Sequence, residues 1–270
     1  MYHLLKLEWL KLKNHRISQI LIFIYLIALP SLLLIGKSFD EIPEDLFSKD
    51  MFFMFPAVWQ YLGYVGNWLT FFVFGFIAVL TSTNEYHNKT LRQNVITGLS
   101  RREYFLSKTL FIVMMSLLAT AYFVIWALLF GATHTETIYM SKVTQYAGLI
   151  PRYFLMVCSY MTIGFFISTI VRRTGISLFL YLAWAFFIER ILRYAMHYQL
   201  LEGKSIHFYP INATSDLVPF NTPLNKMAEG FMKENNFSIF LSPTEAVITT
   251  TVYLLLFLWL THQMLQKRDL

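Results

Sequence analysis

Six apolar runs, each close to the length of a bilayer crossing, constrain this chain more than any other feature. They are Ile17–Ile35, Tyr61–Thr83, Thr109–Gly131, Leu149–Val171, Ile176–Met196 and Ala246–His262. A helix needs roughly 20 apolar residues to cross the hydrocarbon layer. Backbone amides in lipid must find their hydrogen bonds inside the segment, so each run is expected as a helix. Composition agrees, with 56% hydrophobic and 14% charged residues, against about 25% charged in a soluble domain. The expected fold is all-α: a single integral membrane domain over residues 1–270 with six transmembrane helices. The lone cysteine, Cys158, lies inside a run and has no partner in the chain for a disulfide. No small-residue cleavage site follows Ile35, so the N-terminus is expected to stay attached.

The segments between the runs carry their own signals. In residues 1–16, Met1, Leu5, Trp9 and Leu12 recur at helical spacing among lysines, which predicts a helix lying in the membrane interface. Residues 36–60 are acidic. Arg172-Arg173-Thr174-Gly175 is a very tight turn. Residues 197–244 form the longest loop. Within it, Thr222-Pro223 is a helix start, and Leu224, Met227, Ala228, Phe231 and Met232 give a short outer surface helix over 222–234. Ser242 with Glu245 forms a capping box that opens the last run.

Basic residues set the orientation. With the N-terminus inside, the inner segments hold thirteen Lys and Arg and the outer ones seven, while the acids run the other way. Both termini are therefore expected in the cytoplasm. The formal charge of +6 goes to orientation and the inner leaflet, and calls for no nucleic acid.

The inner segment 84–108, NEYHNKTLRQNVITGLSRREYFLSK, is punctuated like a structured element. Gly98 suits a left-handed helix stop. Ser100 reopens a helix, with Glu103 as its capping-box partner. The spacing predicts a short helix, a stop and a restart.

Few groupings could carry chemistry. Gly36-Lys37-Ser38 ends like a phosphate-binding loop, but Ser31 stands where that loop needs its first glycine. ATP chemistry therefore has to come from another chain. The histidines form no metal-ligand pair at helical spacing, and no nucleophile sits with a base. Glu189, Arg190 and Arg193 are the strongly charged cluster within a run. They read either as an i, i+4 structural pair, Glu189 with Arg193, or as the lining of an outer vestibule.

Segment 84–108 resembles the corresponding loop of the type-2 ABC export permeases, the membrane subunits of ATP-driven exporters. Their loop reads E-x-x-x-x-T-x-R and then a leucine-Ser-Arg-Arg run. Here those positions are Glu85, Thr90 and Arg92, then Leu99, Ser100, Arg101 and Arg102. Many members carry glycine just before the threonine, where this chain has Lys89. The opening LLKLEWLKLK is similar to the family's interfacial helix. The resemblance implies a multi-pass protein of the plasma membrane, a bacterial inner membrane, that pairs with a second permease subunit as homo- or heterodimer. It implies docking on a separate ATP-binding subunit that holds ATP and magnesium, leaving this chain without catalytic residues or cofactor. Glu85, Thr90, Arg92, Leu99, Arg101 and Arg102 would form the docking face, with Arg172 and Arg173 as a second contact. Two other readings stand beside it. One is an ion-coupled secondary transporter, which wants mid-membrane ionisable groups and repeated halves that this chain lacks. The other is a non-transporting ABC permease that couples ATP to an outer protein.

Overall fold

The computed structural model describes residues 2–37, 52–197, 204–219 and 240–267. Helices α1 (Tyr2–Asn14) and α2 (Arg16–Lys37) are followed by α3 (Val58–His87), α4 (Thr90–Ile96), α5 (Arg101–His134), α6 (Met140–Thr144) and α7 (Leu149–Val171). The next crossing is composite. It begins as α8 (Thr174–Ala183), widens into a π-helical segment (Trp184–Ile188), returns to α9 (Glu189–Ile191) and widens again (Leu192–His197). A 3-10 turn (Lys204–His207), α10 (Pro210–Ser215) and α11 (Pro243–Lys267) complete the order. No strand occurs among the described residues. Six helical stretches are long and apolar enough to cross a membrane, so the all-α, six-helix expectation holds.

The crossings differ in how much of them is packed. α3 and α7 are buried over most of their surface, while the α8 crossing and α11 are largely exposed. The α3–α7 contact is the largest in the fold and rests on close backbone approach. A Cβ built on Gly164 of α7 would stand 2.7 Å from the Gly75 carbonyl of α3, so only glycine allows this crossing. Around it, Tyr25 and Tyr153 share a hydrogen bond of 2.9 Å, and Tyr153 stacks on Phe123 with ring centroids 4.3 Å apart. The exposed apolar side chains, among them Phe179, Phe187, Ile191, Val252 and Trp259, face outward, where lipid or another membrane helix accepts them.

The structure extends or revises several expectations. α3 and α5 run well past the apolar runs at the loop between them, so residues 84–87 and 101–108 belong to the crossing helices. Hydrogen-bonded caps extend them. The loop 197–244 does not simply lie outside the bundle. Its helix α10 is packed against α7 and α11, with Ala213, Leu217 and Val218 fully buried. Pro210 at the first position of α10 is the same start signal that Pro223 and Pro243 carry. The helix expected over 222–234 and the acidic stretch 38–51 lie outside the described residues.

Candidate functional site

The segment 84–108 is built by caps. Helix α4 ends in a Schellman motif: the Gly98 N–H donates to Val95 O at 3.1 Å and the Leu99 N–H to Asn94 O at 2.9 Å. Gly98 has φ +109°, a conformation that a side chain resists. Helix α5 opens with the expected capping box. The Glu103 N–H donates to Ser100 Oγ at 3.2 Å, and the Ser100 N–H donates to Glu103 Oε2 at 2.8 Å. Between α3 and α4 the chain turns through Lys89 at φ 56°. That is the position where the resembling permeases carry glycine, and the left-handed backbone gives the physical reason.

Beneath this knuckle lies a buried ion cluster that sequence reasoning missed. Lys108 Nζ, on α5, lies 2.7 Å from Glu8 Oε2 of α1 and 2.5 Å from Glu85 Oε1 of α3. Lys11 Nζ closes the ring at 2.6 Å from Glu8 Oε1 and 3.0 Å from Glu85 Oε1. Glu8, Glu85 and Lys108 are buried, and Lys11 is partly exposed. Burial pushes the Glu8 carboxyl up, but the charges of Lys108 and Lys11 outweigh it and hold the group below its ordinary value. Two acids and two bases balance. Glu85 Oε2 accepts no hydrogen bond, so the cluster is held by charge more than by saturation. The neighbouring His15 ring has one nitrogen 2.7 Å from the Asn84 amide, and its other nitrogen accepts the Ser18 N–H at 3.2 Å, ending α1 and starting α2.

The structure separates the sequence-selected residues into two groups. Glu85, Thr90, Leu99 and Arg101 face the protein. Thr90 Oγ1 donates to Glu85 O at 3.4 Å, and Leu99 packs on the core. Arg101 Nη1 donates to Leu265 O at 3.2 Å and Gln266 O at 2.7 Å, capping the C-terminal end of α11. Arg92, Arg102 and Arg173 are exposed. Arg172 takes the left-handed conformation at φ 57° and lays its guanidinium over the Tyr86 ring at 5.1 Å. Thr174 Oγ1 donates to Thr83 Oγ1 at 2.9 Å, so the Arg172–Gly175 turn is pinned to the end of α3. One further residue belongs to the exposed group. Ile96, at the tip of α4, is 76% exposed, an apolar side chain on a basic face. Its signal was local: Leu91 and Val95 fall on one side of α4 at i, i+4, with Leu91 buried, and leave Ile96 outside it.

At the far end of α3 sits a second polar cluster. The Ile211 and Asn212 N–H groups, which open α10, donate to Glu189 at 3.0 and 2.7 Å, and Trp184 Nε1 donates at 3.3 Å. Arg193 donates to Ile206 O at 2.9 Å and Asn212 Oδ1 at 2.5 Å. The expected Glu189–Arg193 pair is therefore not formed. The wide π-helical turn after Ile191 breaks the α-helical i, i+4 geometry, and both side chains bond to residues 206–212 instead. Arg190 is exposed and lines a cavity together with Glu189 and Arg193. Asn67 of α3 joins the cluster, accepting from Tyr160 Oη at 2.6 Å and donating to Ser215 O at 3.1 Å.

A family model described as ABC-2 family transporter protein matches residues 4–187. The match runs from α1 through the knuckle and into the first π-helical segment. A comparison with curated proteins gives no match.

Proposed function

The chain belongs to the ABC-2 family of transporter proteins, and from that premise we propose that it works as the docking permease of an ATP-driven exporter. The family makes it a multi-pass permease component of an ABC transporter. The finer reading is ours. Both termini lie in the cytoplasm, in a bacterial inner membrane. Two permease subunits pair, and each presents its knuckle to a separate ATP-binding subunit that holds ATP and magnesium. Closure of the ATP-binding subunits pushes α4, and the push reaches the crossing helices.

One observation carries this reading. The exposed Arg92 and Ile96 of α4, and Arg102 at the start of α5, stand on a support held by caps and ion pairs. The Schellman stop, the capping box and the ion cluster join α1, α3, α4 and α5, so force applied at α4 has no loose segment to absorb it. An exposed isoleucine one helical turn from an exposed arginine, Arg92, offers an apolar anchor beside a charge.

The test uses Arg92→Glu and Ile96→Asp in the full-length chain. Both side chains are exposed, so insertion and thermal unfolding are expected to stay as in the parent. Recovery of the ATP-binding subunit in gentle-detergent co-purification is expected to fall by roughly tenfold or more, as for loss of a buried anchor. Unchanged association and unchanged export in both variants would remove the docking role from this face.

A further inference from the structure

The cluster at the far end of α3 buries charged side chains beside a cavity. Glu189, Asp216 and Arg193 are all buried, two carboxylates against one guanidinium. Every group bonded to Glu189 is an N–H donor, which fits the ionised form. Burial pushes the Asp216 carboxyl up to about 6, against the pull of the Leu241 N–H and of Arg193. His207 approaches Arg193 at 3.4 Å. Among the described residues no group of three His, Cys, Asp or Glu could hold a metal.

Beside Glu189 lies a cavity of about 120 Å³ walled by Trp68, Phe71, Tyr160 and Phe186, with the exposed Arg190 at its edge. The Trp68 and Phe186 rings are near-parallel, with centroids 6.5 Å apart, and Phe71 stands at 89° to Phe186. Aromatic faces are electron-rich and attract alkylammonium groups. Glu189 Oε1 accepts one hydrogen bond, from the Asn212 N–H, and keeps a lone pair. Arg190 stands at the mouth. Among the described residues, Arg190 has no carboxylate partner, and exposed Phe187 and Ile191 flank it on the outward face. A guanidinium in that position is costly without an anion, and a lipid phosphate supplies one.

We propose that this cavity binds the headgroup of a zwitterionic phospholipid. The ammonium lies among the rings beside Glu189, the phosphate pairs with Arg190, and the acyl chains run down the exposed face of Phe187 and Ile191. In such a headgroup a two-carbon spacer separates the amine from the phosphate. The site rests only on membrane placement, and variants of α4 leave it unchanged.

The test is a titration of the detergent-purified full chain with dioctanoyl phosphatidylethanolamine, read by tryptophan fluorescence with Trp68→Phe as the signal control. Dioctanoyl phosphatidylglycerol and soluble phosphoethanolamine are the comparisons. The ethanolamine lipid is expected to bind about tenfold tighter than the glycerol lipid, and Arg190→Gln to weaken it about tenfold, as for one lost charge-assisted contact. Glu189→Gln should abolish the headgroup preference. Because Glu189 also caps α10, Phe186→Leu provides the same test without touching the cap. Equal affinity for the two lipids, or no effect of Arg190→Gln, overturns the site. Soluble phosphoethanolamine binding as tightly as the lipid overturns the assignment to a membrane lipid.

Discussion

Replacing Lys108 by methionine tests the mechanical role of the buried cluster most directly. The ammonium is within hydrogen-bonding reach of two carboxylates, at 2.7 Å and 2.5 Å, and at 2% exposure no water can replace it. The methionine fills similar volume, so the loss is electrostatic. Glu8 and Glu85 would then share only Lys11, which already contacts both and is one-third exposed. Glu85 Oε2 has no donor to fall back on. Removing one partner of a buried pair costs about 3–5 kcal/mol, because the remaining charge is uncompensated. The lower figure is about a hundredfold in an opening equilibrium. That cost is expected to fall on α1, which the cluster ties to α3 and α5. Amide hydrogen exchange over residues 2–14 should therefore accelerate about a hundredfold, while exchange in the α3–α7 core changes little. Adding Glu8→Met to Lys108→Met removes one orphaned acid and should recover part of the loss. Unchanged exchange in α1, or a double variant as costly as the two single losses added, would refute this account of what holds the helix.

Other outcomes follow from the same geometry. Lys89→Gly should stabilise the α3–α4 turn by about 0.5–1 kcal/mol, the left-handed penalty less glycine's added freedom, seen as slower limited proteolysis within 84–100. Ser100→Ala removes the acceptor of the capping box and should cost about 1 kcal/mol, read as faster exchange in the first turn of α5 alone. Acid should release α1. Glu8 is held below its ordinary 4.5, so its contribution is present above that pH and is lost as pH falls through the depressed folded value. Exchange over residues 2–14 should then rise below about pH 4.5 in the parent and show no such rise in Glu8→Gln.

What the sequence made legible was local. Apolar run length gave the six crossings, and each cap lies within five residues of its partner, as Ser100 with Glu103 and Ser242 with Glu245 do. The ion cluster was not legible, because Glu8 and Lys108 are 100 residues apart and only the folded bundle puts them together. Its trace was a lone acid in an otherwise basic helix. Asn67 gave no sign that it would meet Ser215, for the same reason. The two π-helical segments had no signal in an apolar run that reads equally well as regular helix. Glu189 and Arg193 stand out in the sequence as charges in a span, but their partners depend on the π-helical segment that starts at Leu192, which spacing does not reveal.

The two clusters have one element in common. Glu85 and Asn67 lie on the same helix, α3, 18 positions apart, or about 27 Å along the axis. Each is tied to other elements: Glu85 to α1 and α5, Asn67 to α7 and to the end of α10. Between them, α3 is pressed to α7 at Gly75 and Gly164, where there is no side chain to yield. A helix fixed by polar contacts at both ends and by backbone contact in the middle moves as a rod. Any displacement imposed at Glu85 then reaches Asn67, and with it Tyr160, α10 and the Glu189 cluster. A substitution that forces α3 and α7 apart at this point, such as Gly164→Ala, should therefore weaken the link between the two ends. The measurement is the change in Trp68 fluorescence on adding the ATP-binding subunit with ATP. A full-sized response in Gly164→Ala would show that the ends are not linked through α3.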